Sequence, residues 1–156
     1  MSLFKSLTSL VIFLSLMNCS SQDGVTGNIF ERDPLEYGEI SQTSIDYFNQ
    51  SIGDTVLFTV NQSTLRDDAI DILNMQADWL KDNQTLPITI EGHADEQGTR
   101  EYNLALGARR ATAVRNYLVS QGVGEELLSI VTYGKERPLE VCSEEKCWAE
   151  NRRAVT

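Results

Sequence analysis

The spacing of apolar residues along this chain switches repeatedly between two periods, and that switching restricts the fold more than any other feature. From about Thr64 to Lys81, Ala69, Ile72, Leu73, Gln76 and Leu80 recur every three or four positions, the repeat of one helix face. From about Arg100 to Gln121, Leu104, Ala108, Ala111, Val114 and Leu118 do the same toward a core, and Gly122 stands past the end as a stop signal. The small residues of this second helix permit close packing on a sheet. Between and around the helices lie short β-patterned runs at Thr55–Phe58, Ile88–Gly92, Leu127–Gly134 and Arg152–Thr156. The order β-α-β-α-β-β predicts an α/β two-layer sandwich, one mixed sheet packed against two helices. Thr64 is placed to cap the first helix, with Asp67 and Asp68 at the positive end of its dipole. "SIDYFNQSI", ahead of the first strand, fits no period and is compatible with a hairpin partner for that strand.

A chain of 156 residues suits one domain plus an extension. With 41% hydrophobic and 23% charged residues, most of it should fold. The formal net charge of -10 repels nucleic acid, which argues against a nucleic-acid partner.

The first residues form a separate signal. Lys5 precedes an apolar run from Leu7 to Met17 that is too short to cross a bilayer but has the length of an export-signal core. The run ends on a cysteine, in "LMNC" at Leu16–Cys19, which resembles the lipobox of bacterial lipoproteins. That resemblance implies cleavage after residue 18 and lipid on Cys19. Residues 1–18 then read as a lipoprotein-type signal peptide. Residues 19–44, rich in Gly, Asp and Ser with Pro34, read as the lipidated N-terminus and a flexible tether, and residues 45–156 as the folded domain. Of the three cysteines, Cys142 and Cys147 remain, and in an oxidising compartment such a pair is expected to form a disulfide. So small a loop would contribute roughly 2 kcal/mol on the loop-entropy view, a local staple.

"EGHADEQGTREYNLALGARRATAVRNYL", Glu91–Leu118, holds the only histidine of the chain. A zinc site is not expected, because His93 has no second histidine beside it and the other candidates are carboxylates of one loop. Nor is there a Gly-x-Ser-x-Gly elbow for serine catalysis, so no catalytic residue is assigned. His93 reads as a strand-end residue whose ring hydrogen-bonds a neighbour, and Glu96, Arg100 and Glu101 as solvated charges. Asp95 and Arg110 could face one pocket and bind an ammonium and a carboxylate of the same ligand, the guanidinium gripping in bidentate fashion. They could equally pair with each other or with solvent. The residue chemistry leaves both readings open.

That same stretch resembles the central motif of the OmpA-like peptidoglycan-binding domain. The family's pattern of Asn, Leu, Arg-Ala, Val and Leu is met by Asn103, Leu106, Arg110, Ala111, Val114 and Leu118. "TYGKERP" (Thr132–Pro138) and "NRRAV" (Asn151–Val155) resemble the same family, and the likeness runs from about Gly53 to Thr156. It implies a binding protein without cofactor or metal, not an enzyme. Its pocket would hold the diaminopimelate of the peptidoglycan stem peptide, with Asp95 and Arg110 as the charged clamp. Phe58 and Asn61 would form the facing wall, with Gly98, Thr99, Asn103 and Leu106 beside it. Together with the lipobox, the likeness implies a lipid-anchored protein on the periplasmic face of the outer membrane. Ser20 fits that address, since an Asp after the lipidated cysteine would favour the inner membrane. The implied partners are peptidoglycan, the outer membrane through Cys19, and the Tol envelope machinery with its periplasmic β-propeller protein, in support of envelope integrity and constriction at cell division. A flagellar stator of the same family would need a transmembrane helix, and a wall hydrolase would turn over muropeptides.

Overall fold

The computed structural model describes residues 40–156. The expected signal peptide, Cys19 and most of the tether lie outside the described residues. Gln42 is already attached to the domain: its carbonyl accepts a 2.7 Å hydrogen bond from Trp79 Nε1. The segment 45–53 is no hairpin strand. Ser44 Oγ accepts from the Tyr47 amide at 3.1 Å and starts α1 (Ile45–Tyr47), which runs on as π-helical turns over Phe48–Gly53. The cap and the aromatic pair Phe48–Trp79, with ring centroids 4.9 Å apart, favour a helix whose buried edge lies on the next long helix.

Gly53, at φ +92°, turns the chain into β1 (Thr55–Leu57). Phe58 has left the strand, although its amide still donates to the Arg152 carbonyl at 2.7 Å. The long helix α2 (Asp67–Asp82) buries Ala69, Leu73, Gln76, Ala77, Trp79 and Leu80. Gln76 is a polar residue tolerated in this face because its Nε2 donates to the Gly53 carbonyl at 2.7 Å. Thr64 does not cap the helix; its N-cap is Arg66, two residues later, with no side-chain cap bond. Asp67 and Asp68 occupy the first turn, where the dipole favours them, and Asp68 Oδ1 accepts from the Ala69 amide at 3.0 Å.

Next come β2 (Ile88–His93) and α3 (Arg100–Ser120), the latter capped by Thr99 Oγ1 accepting from the Tyr102 amide at 3.2 Å. Gly122, at φ +95°, follows the end of α3 as expected. The buried face of α3 is Asn103, Leu106, Gly107, Arg110, Ala111, Val114 and Leu118. Leu104 and Ala108, expected toward the core, are only half-buried. Two polar side chains with internal partners take the deep stripe at the start of the helix and rotate the apolar pair aside.

β3 (Leu128–Gly134), a short helix α4 (Glu145–Asn151) absent from the expected order, and β4 (Arg153–Val155) complete the fold. The sheet order is β1-β4-β2-β3. β2 and β3 are parallel, joined through α3, while β4 is antiparallel to both β1 and β2. The sheet is thus mixed and packs on α2 and α3, the predicted two-layer arrangement. Leu73, Ile90, Val114 and Leu118 are fully enclosed between the layers, each contributing about 1.5–3 kcal/mol by burial. Cys142 and Cys147 form the expected disulfide, spanning the start of α4.

Candidate functional site

β2 ends in a register shift between Gly92 and His93, which turns the chain out of the sheet into the loop 94–99. Several contacts hold this loop. The Ala94 amide donates to the Gly134 carbonyl at 2.8 Å, and Asn103 Nδ2 to the Gln97 carbonyl at 2.8 Å. From the outside, Lys135 Nζ donates to the carbonyls of Glu96 (3.2 Å) and Gly98 (2.7 Å). Gly98 supplies the left-handed turn at φ +90° that brings Thr99 round to cap α3. Asp95 lies at the base of the loop, 8% exposed, with Oδ1 accepting from the Gln97 amide at 3.2 Å.

Arg110 is wholly buried one helical turn beyond Gly107. Its guanidinium ties three loop carbonyls together: Nε to Gln62 at 2.9 Å, Nη1 to His93 at 2.7 Å and Nη2 to Thr59 at 3.1 Å. Its Cζ stands 5.2 Å from the ring centre of Phe58, which is itself buried. Burial pushes its pKa down to about 10, opposed by the charge of Asp95 and aided by that of Arg152, so it stays cationic at neutral pH.

Among the described residues Asp95 forms its ion pair with Arg152 and not with Arg110: Asp95 Oδ2 is 3.2 Å from Arg152 Nη1. Arg110 does not present an open bidentate fork either, because each of its three nitrogens already donates to a carbonyl. An arginine carries five N–H groups, so two remain for a further acceptor. Phe58 and Leu106, expected to line the pocket, are both buried. Asn61, Gly98 and Thr99, expected in the same pocket, are exposed, and Asn61, at φ 56°, accepts from the Tyr102 hydroxyl at 3.4 Å. Asn103 is buried and braces the loop.

His93 differs from expectation. Neither ring nitrogen has a hydrogen-bond partner; Nε2 is 3.4 Å from Glu91 without hydrogen-bond geometry, and the ring packs on Tyr133 with centroids 5.5 Å apart. Burial, and after it the charge of Arg153, hold its pKa below the ordinary value. Its place in the sheet, against an aromatic ring, leaves no acceptor in line. Glu96 and Glu101 are exposed as expected, and Arg100 pairs with Glu136 at 3.2 Å. Among the described residues no group of three or more His, Cys, Asp or Glu side chains could hold a metal ion, and no helix is long and apolar enough to cross a membrane.

Reading the sequence missed Arg152, Glu145 and Lys135. Arg152 and Lys135 stand inside "NRRAV" and "TYGKERP", but nothing in their spacing marks them as partners of a loop some forty to sixty positions earlier.

A mixed four-stranded sheet on two long helices is an arrangement shared with known proteins. The profile of the OmpA family matches residues 57–152, and the chain belongs to that family. A relative from Mesorhizobium japonicum, the peptidoglycan-associated lipoprotein, is 45% identical over 148 residues, 95% of this chain and 88% of the relative. The protein of the same name from Brucella melitensis is 43% identical over 157 residues, 99% of this chain and 93% of its own length. The crystal structure of the peptidoglycan-associated lipoprotein from Burkholderia pseudomallei superposes with a TM-score of 0.66 at 39% identity, covering 69% of this chain and 92% of that one.

Proposed function

We propose that this protein is an envelope lipoprotein that binds peptidoglycan noncovalently and performs no catalysis on it. The observation that carries the reading is the carboxylate of Asp95, buried at the base of a braced loop and paired with Arg152, with the buried guanidinium of Arg110 holding the His93 carbonyl at the start of the same loop. Such a cluster suits a ligand bearing both charges on one carbon: its ammonium meets Asp95, and its carboxylate takes the two remaining N–H groups of Arg110. The diaminopimelate of a stem peptide has that chemistry. Asn61, Gly98 and Thr99 would form the rim around it.

The family likeness of "LMNC" supports lipid on Cys19 and an address at the periplasmic face of the outer membrane, so that the protein links that membrane to the wall. The Tol machinery, including its β-propeller protein, is the partner system this reading assigns, with a role in envelope integrity and constriction. Incubation of the mature protein with purified sacculi separates binding from hydrolysis. Retention on the sacculi with no released muropeptide is the expected result; released muropeptides would replace a binder with an enzyme.

A further inference from the structure

The charge of Asp95 is reached from the C-terminal part of the chain, through Arg152 and, behind it, Glu145. The side chain of Arg152, at the end of α4, is 6% exposed. Its Nε donates to the Phe58 carbonyl at 3.3 Å, and its Nη1 meets Asp95 Oδ2 at 3.2 Å. Its Nη2 is turned the other way, onto Glu145 Oε1, and Nη1 also lies 3.4 Å from Glu145 Oε2. The guanidinium is therefore shared between a buried carboxylate and one whose side chain is 65% exposed. Hydrogen bonding to Arg152 holds the Glu145 carboxyl below its usual range. Burial pulls the Arg152 pKa down, but its hydrogen bonds to Glu145 and Asp95 outweigh that and raise it overall.

Glu145 is the first residue of α4, between the two halves of the disulfide. A helix of seven residues cannot hold itself in water, and its N-cap, Glu144, makes no side-chain cap bond. The Cys142–Cys147 bridge, with Cys147 buried, is what fixes that first turn.

We propose that Glu145 is a positioning residue for the ligand site: it occupies half of the Arg152 fork and so prevents Arg152 from closing on both oxygens of Asp95, while the disulfide holds Glu145 in place. The inference rests on the reading of Asp95 as the acceptor for the ligand ammonium. With Glu145 gone, Arg152 is free to turn fully onto Asp95 as a bidentate pair and to compete with the ammonium for the same oxygens. Reducing the disulfide loosens the first turn of α4 and acts in the same direction.

The test is titration calorimetry of the full mature chain in detergent with a soluble diaminopimelate-containing muropeptide, alongside thermal melting. Glu145→Gln is expected to bind roughly tenfold more weakly with an unchanged melting transition, the size of effect seen for residues that act on a site through a neighbour. Glu145→Asp, which restores the carboxylate, should recover most of the affinity, and the reduced wild type should lose part of it. In an Asp95→Asn background Glu145→Gln should have no further effect. Wild-type affinity in Glu145→Gln and in the reduced protein, with Asp95→Asn defective, overturns this inference and leaves the wall-binding reading standing. Wild-type affinity in Asp95→Asn removes both.

Discussion

Gly92 of β2 and Gly107 of α3 meet backbone to backbone: a Cβ added to Gly92 would stand 1.9 Å from the Gly107 carbonyl oxygen, and one added to Gly107 2.7 Å from that of Gly92. This contact sets the depth at which α3 lies on the sheet. It also brings Arg110, one turn further on, to the end of β2, where Nη1 reaches the His93 carbonyl. Sheet–helix packing and the site are therefore one construction. Gly107→Ala would push against Thr132 Oγ1 as well, 2.4 Å from the new Cβ. It should destabilise the domain by about 1–3 kcal/mol in urea unfolding, and Gly92→Ala, which meets only backbone, by more.

Arg110 ties together the carbonyls of Gln62, His93 and Thr59, the last of which also accepts from the Gln62 amide at 3.1 Å, so it stabilises the loops. Arg110→Met is expected to cost at least about 3 kcal/mol, from buried acceptors left unpaired. Arg110→Lys keeps the charge but gathers it on one nitrogen, which cannot span three carbonyls set around a planar fork. It should melt between the wild type and Arg110→Met, as calorimetry would show.

The long elements were legible because their burial follows a period. α2, β2, β3 and most of α3 lie where the apolar spacing put them. Segment 45–53 was not legible, because its helix depends on a serine cap and on Trp79, more than thirty residues away. α4 was hidden for a similar reason: its seven residues are held by the disulfide and by Asn151, whose Oδ1 accepts from the amides of Leu139 (2.7 Å) and Glu140 (3.0 Å). At the site, hydropathy reads Asn103, Arg110 and Arg152 as surface residues, whereas each is buried with internal hydrogen bonds. The family motif marked Arg110 and Asn103; Arg152 became visible only with its partner, Asp95, in place.

His93 gives a pH prediction. Its unfolded-state pKa is the ordinary 6.5, and burial and Arg153 hold the folded value lower, with Glu91 opposing them. Between the two values the unfolded chain binds more protons, so stability falls as pH drops below about 6.5 and the loss ends at the folded pKa. His93→Phe, which keeps the packing on Tyr133, should remove this component. The difference between the two urea-derived stability curves, measured from about pH 7 to pH 5, should slope toward loss for the wild type at low pH. Parallel curves would refute it.

Anchoring is tested at Cys19. If acyl chains on Cys19 provide the proposed anchor, Cys19→Ser should move the protein from the membrane to the soluble periplasmic fraction. Retention of Cys19→Ser in outer membranes after digestion of the wall would contradict lipid anchoring at this residue.

The central claim is that Asp95 receives the ammonium of a wall-peptide diaminopimelate, and the affinity of Asp95→Asn for a soluble muropeptide carrying that residue tests it most directly. The substitution keeps the shape and an acceptor for the Gln97 amide, and leaves Arg152 paired with Glu145. The account predicts a loss of about 2–5 kcal/mol in binding, as for a desolvated charge pair broken from one side, in a protein that still unfolds cooperatively. Wild-type affinity in folded Asp95→Asn would contradict it.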